Sequence, residues 1–186
     1  MSRLPPLTEA DMSVQQREVV AAIAGGPRGG YPGGPFEAWL RSPIFADRAQ
    51  ALGEYVRYKT TLPTRLTELA ILVTARIWTA QFEWHVHAPI ALKNGLSQHV
   101  IDQISAGQRP EFEAHDEALI YDFCRELYAT KTISASTFAS MVAMFGEQAL
   151  VELVGLLGYY AMISMTLNVF DIQTAQADTP LRPLAE

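Results

Sequence analysis

Residues 64–97 read TRLTELAILVTARIWTAQFEWHVHAPIALKNGLS. From Leu66 to Thr79 the apolar residues recur at helical spacing, and Glu68 shares one face with Ile71, Leu72, Ala75 and Thr79. A second helix is predicted over Trp84 to Asn94, stopped by Gly95, with Ser97 as N-cap of a third that runs to Gly107. In the second, Glu83 and His87 stand four apart, so they are neighbours on a face that continues as Ile90, Ala91 and Asn94 and points inward. A carboxylate and an imidazole side by side on an apolar face form a proton-handling pair.

The same periodicity extends in both directions. Upstream, Ser42-Pro43 reads as a helix start, with the Ser42 hydroxyl as N-cap and the helix running to about Lys59; Thr61 to Thr64 restart the chain. Downstream, helices are predicted over Asp116 to Lys131, Ser134 to Phe145 and Gln148 to Asp171. Alternating strand patterns are absent, so the expected class is all-α, a helical bundle in one domain over residues 1–186. Residues 25–35, GGPRGGYPGGP, hold six glycines and three prolines and are expected to form a mobile loop after an N-terminal helix. No Gly-Lys-Ser/Thr end follows that loop, which argues against a phosphate cradle. The tail DTPLRPLAE reads as a proline-punctuated terminus.

Composition narrows the function classes. Hydrophobic residues make up 49% and charged residues 18% of 186, which implies a large core and a surface with apolar area left for a second copy. Fourteen basic against 20 acidic residues, net −6, disfavour nucleic acid and anionic membrane as partners. One cysteine, Cys124, excludes an intrachain disulfide and a CxxC centre; it is expected to be a buried, inert thiol. The first 24 residues lack the basic start and apolar run of a signal peptide, so a cytoplasmic location is expected. Leu153 to Phe170 is 18 residues without a charge, yet its central tyrosines and acidic flanks favour a central helix over a membrane span.

Other polar residues are weaker candidates. Pro89 interrupts the histidine helix and is expected to kink it, freeing the His85 carbonyl. His85 points away from the Glu83 face and reads as a supporting or subunit-contact group, while His99 and His115 read as surface residues. Glu68, Glu83 and His87 offer a donor set for an open divalent site, but no His-Glu-x-x-His pattern supports it, and the expectation is no metal and no cofactor.

Taken in order, GGPFEAWLRSPIF, then the stretch quoted first, then LVELVGLLGYYAMISMTLNVF resemble the carboxymuconolactone decarboxylase family, from about Pro35 to Ile172. The positions that match most specifically are Glu68, Phe82-Glu83-Trp84, His87 and Gly95-Leu96-Ser97. The resemblance implies an alkylhydroperoxidase-like helical fold and a homo-oligomer, trimer or hexamer. In the alkylhydroperoxidase branch a CxxC pair precedes the histidine; here those positions are Ala80 and Glu83, so thiol peroxidase chemistry is disfavoured. It implies instead decarboxylation of a small carboxylated lactone or related organic acid. On that reading His87 donates the proton, Glu83 orients it and Glu68 holds or relays the proton. Arg65 or Arg76 is expected to bind the substrate carboxylate, with Trp84 as a further contact. Two alternatives stay open: a lactone hydrolase or isomerase using the same groups, and a non-catalytic oligomer in which Glu83 and His87 only pair.

Overall fold

The computed structural model describes residues 2–31, 33–174 and 179–182. Among these residues, a 3-10 turn at Glu9–Asp11 is followed by eight α-helices: α1 (Val14–Gly25), α2 (Phe36–Trp39), α3 (Pro43–Tyr58), α4 (Thr64–Ile77), α5 (Gln81–Lys93), α6 (Gln98–Ser105), α7 (His115–Thr130) and α8 (Ala135–Phe170). Among the described residues no strand forms, as the periodicity predicts. Helix α4 is the axis of the bundle: every residue from Leu66 to Arg76 is buried. It packs against α5, α6, α7 and α8, while α3 bridges α1 and α8.

Several boundaries differ from expectation for local reasons. Helix α4 begins at Thr64, not Leu66, with Pro63 as N-cap residue in extended geometry. It ends where Thr79 adopts a left-handed φ of 49°, which folds the chain back so that α5 starts at Gln81 and Glu83 falls in its first turn. Pro89 sits inside α5 on the exposed side, and the helix continues past it to Lys93. Ser42 precedes α3 but its side chain caps no amide, whereas Ser97 accepts from the Val100 amide as expected. The long α8 is broken at Gly146, whose φ of 82° and ψ of 166° are not helical and suit glycine, so the break falls between the two C-terminal helices predicted over Ser134 to Phe145 and Gln148 to Asp171.

The glycine-rich segment is tied down in its described part. Arg28 reaches the Tyr159 hydroxyl at 3.3 Å and lies 5.3 Å over the Phe36 ring, so the expected mobile arm packs back on α8 and α2. Pro32 lies outside the described residues, as do Asp178 and residues 183–186 of the tail. The described part of that tail is anchored: Leu181 is buried and exchanges hydrogen bonds with the Gln81 side chain at 2.5 and 3.2 Å.

By length and composition α8 is apolar enough to cross a membrane, but 67% of its most apolar window is buried inside the protein. Leu153, Leu156, Leu157, Tyr160 and Leu167 of this helix form core, as expected of a central helix. Its opposite side leaves Val151, Val154, Met165 and Val169 exposed.

Candidate acid–base site

The turn at Thr79 sets α4 and α5 side by side, which brings Glu68 onto His87. His87 Nδ1 donates to Glu68 Oε2 at 2.6 Å, and Nε2 faces Glu83 Oε2 at 3.3 Å. All three side chains are buried, His87 and Glu68 at 2% and Glu83 at 4% exposure. Tyr160 of α8 closes the arrangement, its ring edge-on to the imidazole with centroids 5.0 Å apart.

Burial works against the imidazolium, but the hydrogen bonds and charges of Glu68 and Glu83 outweigh it, so the His87 pKa lies above its ordinary value. With both ring nitrogens facing carboxylates, the imidazole holds its second proton where a solvated histidine has begun to lose it. It also has no free nitrogen to offer a cation, and no metal-holding group of three or more His, Cys, Asp or Glu is found among the described residues.

One side of the cluster opens on a cavity of about 330 Å³, lined by Arg57, Tyr58, Thr60, Leu62, Thr64, Thr67, Glu68 and Ile90. Of the three acid–base residues only Glu68 belongs to this wall; His87 stands behind it. A larger groove of about 610 Å³ between α7 and α8 is mostly apolar, and among the described residues Glu147 is the one titratable group in its wall. It lacks an acid–base pair, so the smaller cavity is the one with chemistry in it.

The residues expected to contact substrate fall elsewhere. The Arg65 guanidinium pairs with Asp116 at 2.7 Å and with Glu117, tying α4 to the start of α7. Arg76 is 4% exposed, and its Nε and Nη1 have no hydrogen-bond partner among the described residues. Trp84 is buried in the core. None of the three lines the cavity, and the arginine that does is Arg57. His85 lies half-buried with Nδ1 2.8 Å from the Gln81 carbonyl, and His99 and His115 are exposed. Cys124 is fully buried, which pushes its thiol pKa well up.

Two further residues escaped the sequence reading. Tyr160 reads only as part of an apolar run. Glu152 reads as a mere flank, yet it accepts from the Thr61 amide at 2.7 Å, the Thr61 hydroxyl at 2.8 Å, the Tyr55 hydroxyl at 2.7 Å and Gln148 at 2.9 Å. It thereby holds the α3–α4 turn, whose Thr60 and Leu62 form cavity wall.

The buried carboxylate–imidazole–carboxylate cluster is thus carried by two consecutive helices of an all-α bundle. The architecture is shared with the crystal structure of an alkylhydroperoxidase AhpD core, an uncharacterized peroxidase-related protein from Ralstonia eutropha JMP134. That match has a TM-score of 0.75 and 14% identity, over 92% of this chain and 91% of that one. It is shared also with a cysteine-to-alanine variant of the debrominase Bmp8 in complex with 2,3,4-tribromopyrrole, with a TM-score of 0.71 and 16% identity over 97% and 96% of the two chains. No curated protein matches the chain in sequence. The sequence model of the carboxymuconolactone decarboxylase family matches residues 43–110, which contain α3 to α6 and all three acid–base residues. In sequence, residues 43–110 are thus similar to the carboxymuconolactone decarboxylase family, and in fold the chain is similar to an alkylhydroperoxidase AhpD core.

Proposed function

We propose that the protein is an acid–base enzyme that decarboxylates a small carboxylated lactone or a related organic acid. The observation that carries this reading is the buried line Glu83, His87, Glu68, whose last member forms wall of a cavity beside Arg57. Loss of CO2 breaks a carbon–carbon bond and leaves its electron pair on the ring, where conjugation passes it to the lactone carbonyl as a dienolate. A ring carbon must then take a proton. The Glu68 carboxylate takes a proton from the His87 imidazolium Nδ1 over 2.6 Å and hands it to that carbon, which leaves the imidazole neutral; Glu83 beside Nε2 then favours its reprotonation from solvent. His87 is thus a relay behind Glu68 and does not itself touch the substrate. Leu62 and Ile90 supply an apolar wall against which the developing charge feels Arg57 more strongly than it would in water.

Thiol chemistry is disfavoured, since Cys124 is the single cysteine and lies away from the cavity wall. We further propose that copies of the chain assemble as a trimer or hexamer, a reading supported by the apolar side chains that α8 leaves exposed; light scattering of the purified protein tests it.

The activity test offers the protein a panel of carboxylated unsaturated lactones and follows CO2 release alongside lactone absorbance. Stoichiometric CO2, falling at least ~10²-fold in Glu68→Gln, is expected. Ring opening without CO2 would move the assignment to a lactone hydrolase, and an unchanged rate in Glu68→Gln would end the acid–base reading.

A further inference from the structure

We propose that Arg57 anchors a carboxylate that the substrate keeps, setting the protein's preference for organic acids over their neutral esters. This rests on the acid–base reading of the same cavity. Arg57 lies in the last turn of α3, half-buried, and shares the cavity wall with Glu68. Its guanidinium forms no ion pair with any described residue, unlike Arg65, which is held by two carboxylates. The guanidinium carbon lies 5.2 Å over the Tyr58 ring, a contact that restrains the side chain before any ligand arrives.

The charge of Arg57 acts on Glu68, Glu83 and Tyr160 without touching them, so it is the counter-charge of the buried cluster and remains open to an anion from the cavity side. A net charge of −6 gives the whole chain no attraction for an anionic ligand, which leaves recognition to this local cation. The other walls suit the remainder of such a molecule: hydroxyls at Thr60, Thr64 and Thr67 for ring and carbonyl oxygens, Leu62 and Ile90 for carbon. The anchored carboxylate is not the one that leaves. An ion pair on the departing group would be lost as CO2 forms, which stabilises the ground state and slows the reaction. Arg57 therefore binds product as well as substrate.

The test is calorimetric titration of the full chain with a saturated butyrolactone bearing an acetate arm, which lacks the conjugation needed to lose CO2, and with its methyl ester. Wild type is expected to bind the acid about 10-fold or more tighter than the ester. Arg57→Gln should bind both as weakly as wild type binds the ester, and Arg57→Lys should recover part of the difference because it keeps charge without the planar fork. Circular dichroism of both variants controls for folding. Acid binding no tighter than ester binding, absence of binding included, overturns the assignment, as does Arg57→Gln that keeps the wild-type preference. The two readings fail separately. Turnover that survives Glu68→Gln refutes the acid–base role and leaves an Arg57-dependent preference standing, whereas equal binding of acid and ester refutes Arg57 and leaves the Glu68 result intact.

Discussion

The imidazole of His87 and the carboxylate of Glu68 meet at 2.6 Å across 19 residues of sequence, and the second carboxylate, Glu83, stands 3.3 Å from the other ring nitrogen. The interior therefore holds two acids around one base, with Arg57 as the nearby cation that acts on both. Removing the middle member leaves two buried carboxylates facing each other without a cation between them. His87→Ala is expected to lower turnover by about 10² to 10⁴ and to destabilise the fold by roughly 3–5 kcal/mol. His87→Gln, which retains an amide donor, should lose comparable activity with a smaller loss of stability. Steady-state rates and urea unfolding of both variants check this; equal stability losses would mean the charge itself matters little.

The same pair predicts a pH dependence of stability. Burial lowers the His87 pKa, and the carboxylates raise it by more, so the folded value lies above the ~6.5 of an unfolded chain. A group of this kind contributes stability that is complete below about pH 6.5 and declines as pH rises through the folded value. The urea midpoint of the wild type is expected to fall from neutral to alkaline pH, and His87→Gln should lack that component. Parallel curves for the two proteins would refute the raised value.

At Glu152 the sign is reversed. Burial raises its pKa, but hydrogen bonds from the Thr61 amide, Gln148, the Tyr55 hydroxyl and the Thr61 hydroxyl prevail and take it down to about 2. Stability from such a carboxylate is present above its usual 4.5 and lost as pH falls toward about 2. Glu152→Ala leaves the Thr61 amide without its partner, at a cost of roughly 1–3 kcal/mol. Because Thr60 and Leu62 flank that amide in the cavity wall, the variant should raise KM more than it lowers kcat. Unchanged KM would show that the turn keeps its shape without Glu152.

What the sequence reveals of this site divides by distance along the chain. Glu83 and His87 are one helical turn apart, so their adjacency follows from spacing alone, and the helices from Leu66 to Gly107 follow from periodicity and two clear end signals, Gly95 and Ser97. The Glu68 contact is different: it depends on the turn at Thr79, where a threonine takes a conformation its residue type does not announce. Arg65 illustrates the same limit. It stands three residues before Glu68 and so looks like a site residue, but Asp116 and Glu117 at the start of α7 claim it. Arg57 carries no local pattern at all. It is the end of an ordinary amphipathic helix until the fold gives it a cavity wall in common with Glu68 of α4.

Arg76 yields the last prediction. Its guanidinium is buried with Nε and Nη1 unpaired among the described residues, and burial, with Arg125 adding like charge, pulls its pKa down. A buried donor without a partner costs about 1–3 kcal/mol, more when it is charged. Methionine fills similar space with no donors to satisfy, so Arg76→Met is expected to stabilise the protein by roughly that amount while leaving turnover unchanged, since position 76 is outside the cavity wall. Urea unfolding at several protein concentrations decides it. If the variant is less stable, and the loss grows with concentration, Arg76 meets a carboxylate on a neighbouring copy, and the orphaned nitrogens mark a subunit contact.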